Sequence, residues 1–169
     1  QLLDETLDGF KRRELAVKNI EISRRYEPGL PEVIVDPDQI RQVFLNFINN
    51  ADDAIEGSGM ITIFTCSEGG FVHVTITDTG HGMTSGQLEK IFNPFFTTKE
   101  IGKGTGLGLS VSLSIVKSMG GTINVQSIPE VGSSFTISLP LQAAERTNHD
   151  AKPEKDYGRT CRKAVDPPD

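Results

Sequence analysis

The sequence predicts a two-layer α/β sandwich, in which a mixed, largely antiparallel sheet of about five strands is covered on one face by about three helices. Three observations predict it. Residues 60–66 and 71–78 alternate apolar and polar side chains on either side of Ser67-Glu68-Gly69-Gly70, which reads as a hairpin. Residues 122–127 and 133–139 repeat that pattern across a turn containing Pro129. Between the hairpins and the N-terminus, the apolar residues recur instead at the spacing of a helix with one buried face. A chain of 169 residues is long enough for one core and short for two.

Composition narrows the class. A net charge of −6 argues against a nucleic-acid partner, which would call for a basic stripe. No apolar run approaches the roughly 20 residues that span a bilayer, so no membrane contact is expected of this domain. Cys66 and Cys161 make neither a disulfide framework nor a metal cluster, which points to reduced cysteines and a cytoplasmic domain.

Taken in order, residues 1–17 carry Leu2, Leu3, Leu7, Phe10 and Leu15 near helical spacing, with acids early and bases late, as a helix dipole favours. The chain starts inside that pattern without Met and reads as a piece of a longer protein. Residues 19–26 alternate as a strand; Pro28, Gly29 and Pro31 break it, and residues 33–35 read as a further short strand. Asp36 or Asp38 caps the next helix, with Pro37 in its first turn. Its stripe is Ile40, Val43, Phe44, Phe47, Ile48, Ala51 and Ile55. Asn46, Asn50 and Asp53 line one flank of the stripe, and Asn49 and Asp52 point more nearly to solvent. In the second strand of the first hairpin Val72, Val74 and Ile76 share a face that Asp78 continues. A carboxylate there is costly without a partner, so a donor or a ligand must satisfy it. Residues 107–119 read as a helix apolar around much of its circumference, packed on more than one side. The domain is expected to span 1–141, and the polar, proline-spotted residues 142–169 read as a disordered tail or linker.

Residues 78–110 are too many for an ordinary connection, where about 4–6 is typical. The stretch closes on Gly102, Gly104, Gly106 and Gly108 just before a helix, a pattern that brings backbone N–H groups close to phosphate. It lacks the Gly-Lys-Ser/Thr of a P-loop and the strand that precedes a dinucleotide fingerprint. Asp78-Thr79-Gly80 also matches the way aspartic proteases present a carboxylate, but that chemistry needs two such groups and leaves the asparagine flank unexplained.

Together, Asn46-x-x-x-Asn50-Ala51, Asp78-x-Gly80-x-Gly82, Phe92-x-Pro94-Phe95-Phe96-Thr97-Thr98-Lys99 and Gly104-Thr105-Gly106-Leu107-Gly108-Leu109 resemble the four boxes of the histidine-kinase ATP-binding domain. That domain shares its Bergerat-type fold with DNA gyrase, a heat-shock chaperone and mismatch-repair ATPases. All four boxes stand in family order. The resemblance implies that Asp78 accepts the adenine amino group and that Gly80, Gly82 and Met83 form the wall beside the base. It implies Asn50 as the Mg²⁺ ligand and Asn46 as support for the phosphates or their waters. It further implies Gly104, Thr105, Gly106, Leu107 and Gly108 around the phosphates, Lys99 at the γ-phosphate, and Phe95 and Phe96 as anchors of an ATP lid. The lid spans residues 83–103, and its middle is expected to be poorly ordered without nucleotide. Asp53, counted among the nucleotide-site residues, stands where many members carry lysine and part of the family an acid; it cannot neutralise phosphate, and a solvated or metal-water role stands beside a phosphate contact.

Asn46 also separates branches of that superfamily. The ATPases carry glutamate at this position as the base for hydrolysis, and an asparagine cannot serve as one. The resemblance therefore implies a protein-histidine kinase that uses ATP and Mg²⁺, with an ATPase or ATP-gated module as the alternative. None of His73, His81 and His149 suits the phospho-accepting histidine. The implied partners are the kinase's own dimerisation helices, which carry that histidine, and a cognate response regulator.

Overall fold

The structure, a computed structural model, describes residues 2–7, 18–99 and 104–141. The elements in order are α1 (Leu2–Thr6), β1 (Ile20–Tyr26), α2 (Pro37–Ala54), β2 (Gly59–Glu68), β3 (Phe71–Asp78), α3 (Ser85–Leu88), α4 (Gly108–Ser118), β4 (Thr122–Ile128) and β5 (Gly132–Pro140). The strands form one sheet in the order β1-β2-β3-β5-β4. β1 pairs with β2 in parallel and every other pair is antiparallel, so the sheet is mixed and largely antiparallel as expected.

The helix α2 forms because its apolar residues make one stripe and its start is pre-organised. Pro37 occupies the first turn, and the Asp36 carboxylate accepts hydrogen bonds from the Asp38 and Gln39 amides at 3.0 and 3.2 Å. The whole stripe is buried. It lies against Ile61, Ile63, Val74, Ile76, Phe135, Ile137 and Leu139 of the sheet, with the rings of Phe47 and Phe135 centred 5.0 Å apart. On the opposite face β3 and β5 join through polar pairs: Thr75 bonds Thr136 at 3.0 Å, Thr77 bonds Ser134 at 2.9 Å and His73 bonds Ser138 at 2.8 Å.

Four expectations change. Residues 33–35 are not a strand: Val33 and Val35 pack against the core edge while Ile34 is exposed, a loop laid along the core between Pro31 and Pro37. Asp52 does not face solvent; it is 2 % exposed and paired with Lys18 at 2.8 Å. The helix α4 is less enclosed than its composition suggests. Ser112 and Val116 are fully covered, Leu109 and Ile115 pack against the core in part, and Leu107 at its start is exposed. Cys66 is buried in β2 and disulfide-bonded, against the reduced reading, and that bond lies outside the described residues. The N-terminal helix is described only over Leu2–Thr6, and residues 100–103 of the long connection and the 142–169 tail fall outside the described residues. No helix among the described residues is long and apolar enough to cross a membrane.

Candidate functional site

A cavity of about 770 Å³ opens between α2, the end of β3, the connection that follows it and the start of α4. Asn46, Asn50, Asp53, Asp78, Gly82, Met83, Lys99, Gly104, Thr105, Gly106 and Gly108 all line it. Gly80, Phe95 and Leu107 do not, and their roles are indirect.

Asp78 ends β3 and is 4 % exposed. Its Oδ1 accepts the Gly80 amide at 2.9 Å and the Ser133 amide at 3.2 Å, so one oxygen is fixed by backbone from the connection after β3 and from β5. Its Oδ2 has no hydrogen-bond partner among the described residues and is left to the cavity. Burial raises the Asp78 pKa above the ordinary carboxylate value, opposed by those two amides and by the charge of His81. Gly80 contributes through its lack of a side chain: a Cβ there would stand 2.5 Å from the Ala54 carbonyl oxygen, so only glycine lets its amide reach the carboxylate. At Gly82 φ is +64° and a Cβ would collide with the Ile128 carbonyl. His81 Nδ1 lies 2.7 Å from the Gly82 carbonyl, which can only accept, so Nδ1 is the donor.

On α2, Asn46 turns its Nδ2 away from the cavity. It donates to the Gly108 carbonyl at 3.1 Å and to Ser112 Oγ at 3.0 Å, which ties α2 to the first turn of α4. Only Oδ1 remains to face a ligand, and it can accept but not donate. Asn50 and Asp53 follow at helical spacing, and Lys99 reaches both: its Nζ lies 2.5 Å from Asp53 Oδ2 and 3.5 Å from Asn50 Oδ1.

The far end of the cavity is the start of α4, whose first amides carry no side-chain cap. Uncapped amides at a helix N-terminus form a ready anion site. Gly106 has φ +64° and sits against the Phe95 backbone, where the Phe95 amide donates to the Gly106 carbonyl at 2.9 Å. Phe95 is itself left-handed at φ +66°, and its ring is 75 % exposed. The anchoring expectation is therefore corrected. Phe96, partly buried against the core, holds the connection by its ring, whereas Phe95 holds it by its backbone. Residues 85–88 form a short helix with a capping box between Thr84 and Gln87.

Four contributors escaped sequence reasoning: Ser112, Ser133, His81 and the Lys18–Asp52 pair. Ser133 is found only once β5 is placed beside β3, where it stands opposite Asp78. Ser112 follows Gly108 by one helical turn, a spacing that in principle marks it. The assembled site offers a carboxylate acceptor in an enclosed recess at one end, an anion cradle at the other, and oxygen donors with a lysine between them.

A family model described as "Histidine kinase-, DNA gyrase B-, and HSP90-like ATPase" matches residues 35–143. Sensor histidine kinase ZraS of Escherichia coli K12 is 44% identical over 117 residues, 69% of this chain and 25% of that protein. Sporulation kinase A of Bacillus subtilis is 40% identical over 124 residues, 73% of this chain and 20% of that protein. The chain thus spans a quarter or less of the length of these two relatives. The nucleotide-free catalytic domain of histidine kinase ThkA superposes with a TM-score of 0.73 at 31% identity, covering 82% of this chain and 90% of that one. Full-length ShkA in complex with AMPPNP gives a TM-score of 0.73 at 29% identity, over 82% of this chain and 29% of that one.

Proposed function

The chain belongs to the histidine kinase-, DNA gyrase B- and HSP90-like ATPase family, as a domain of the histidine-kinase type, and from that membership we propose that it binds ATP and donates the γ-phosphoryl group to a histidine nitrogen on dimerisation helices of its own kinase. The phosphoryl group then passes to an aspartate of a response regulator. One observation carries the reading: a buried carboxylate with a single free oxygen, Asp78, faces a cavity that ends in an uncapped, glycine-rich helix start. Adenine brings an exocyclic amino donor to the first and a triphosphate to the second.

The chain's residues divide the work. Asp78 Oδ2 accepts the adenine amino group while Oδ1 stays locked. Gly104 to Gly108 take the phosphates, with Thr105 lining the same wall and Leu107 only supplying backbone. The residues between them fit a hard divalent cation, because Asn50 Oδ1 and the Asp53 carboxylate are oxygen donors that already face a positive charge, the Lys99 ammonium. Asn50 would hold Mg²⁺ directly and Asp53 through water; the ion neutralises charge on the triphosphate when bound. With its Nδ2 committed to α4, Asn46 accepts from water rather than touching phosphate, and it cannot deprotonate that water. The chemistry asked of the protein is placement and charge compensation.

The test mixes the 169-residue chain with a separately made histidine-bearing helical hairpin and labelled ATP. Acid-labile label on the hairpin is the expected result. Steady phosphate release by the chain alone, with no label on the hairpin, would establish the ATPase alternative instead.

A further inference from the structure

Lys99 is tied to α2 by its ammonium. Its ammonium bridges two α2 side chains that offer oxygen to the cavity, at 2.5 Å from Asp53 and 3.5 Å from Asn50. Its stem passes beside Gly104, where an added Cβ would lie 3.1 Å from Lys99 Cδ and 3.3 Å from its Cβ. We propose that Asp53 is a positioning residue that parks Lys99 in the place of the divalent cation, so that metal and nucleotide enter by exchanging one cation for another. This rests on the ATP-binding reading above.

The exchange follows from distance. A magnesium–oxygen bond is about 2.0–2.1 Å, and Nζ already lies 3.5 Å from the same Asn50 oxygen. The two cations would therefore stand no more than about 6 Å apart, repelling each other in a partly enclosed site. A divalent ion held by Asn50 would repel the ammonium from Asp53, and a triphosphate at Gly104 would be an anion within reach of the same side chain. Asp53 thereby makes productive use of Lys99 depend on the metal, and explains an acidic residue beside a phosphate site.

The rival is an inert surface ion pair, since Lys99 and Asp53 are 34 % and 45 % exposed. Two measurements separate them. In the nucleotide-free chain, Asp53→Asn is expected to speed tryptic cleavage after Lys99 by about two- to fivefold; equal rates overturn the parking. By calorimetry, Asp53→Asn is expected to raise ATP affinity in EDTA by about two- to fivefold and to shrink the gain that Mg²⁺ confers. In a Lys99→Met background the same substitution is expected to leave the EDTA affinity unchanged. An equal rise in both backgrounds would mean that Asp53 merely repels phosphate, and overturns the exchange. A chain that binds ATP in neither condition overturns the functional reading along with the exchange, whereas loss of the tryptic effect with binding intact overturns the parking alone.

Discussion

At the scale of single residues, Asp78 sets the terms. Its folded-state pKa is raised, chiefly by burial, so the folded chain holds this proton more tightly than the unfolded one. The stability it contributes is full below the ordinary carboxylate value near 3.8 and is lost as pH rises through the raised value. Above that raised value the ionised group is a cost to the folded chain. Asp78→Asn keeps an oxygen for the Gly80 and Ser133 amides and removes the charge. It is expected to melt no lower than the parent at pH 7, while ATP affinity falls roughly ten- to a hundredfold as a charged hydrogen bond is lost. A drop in melting temperature alongside unchanged affinity would refute the assignment. The position of this carboxylate was legible, because strand alternation carries the apolar face of Val72, Val74 and Ile76 straight into it. Its second donor was not, because Ser133 lies 55 positions away and meets it only through the register of β3 and β5.

At the scale of elements, two glycines that look equivalent in sequence part company. Gly106 has φ +64° and abuts the Phe95 backbone, so alanine there meets both strain and collision, at a cost of about 2 kcal/mol or more. Gly108 begins α4 with negative φ, and a Cβ would touch Asn46 at an ordinary 3.5 Å. Gly108→Ala is therefore expected to melt like the parent, and Gly106→Ala well below it; equal melting curves would contradict this account of the loop. The α2 cap gives a pH-dependent prediction. The Gln39 amide first, then that of Asp38, lowers the Asp36 pKa, so its stabilisation is present above about 3.8 and lost as pH falls through the lowered value. Asp36→Ala is expected to lower the melting temperature by roughly 2–4 °C at pH 7, with the gap closing in strong acid. Thermal melts across that range check it. The stripe and cap of α2 were readable because they are local. The fate of Asp52 was not: a helical wheel turns it outward, whereas in the fold it is buried and paired with Lys18 from the turn before β1. Phe95 failed for a related reason, since an aromatic residue in a motif reads as packing, whereas here the backbone bends to φ +66° and the ring is left outside.

At the scale of the whole molecule, the cavity draws on α2, β3, the long connection and α4 at once, so ligand binding is coupled to the stability of the entire sandwich. ATP with Mg²⁺ at a hundred times its dissociation constant adds about 2.7 kcal/mol, which for a chain of this size is a rise of roughly 5–10 °C in a single transition. An unshifted melt at saturating ATP would count against the site. The strands were legible one by one from their alternation, but sheet order was not, because hairpin patterns show which strands are neighbours in sequence and are silent on β3 lying between β2 and β5. That placement has one more consequence. The Oδ1 of Asp78 is held by the amide protons of Gly80, just past the end of β3, and of Ser133 in β5. Their chemical shifts and exchange with solvent deuterium therefore report on the other oxygen: occupancy of the recess becomes readable as a paired change at two backbone positions, without a probe being added to the pocket.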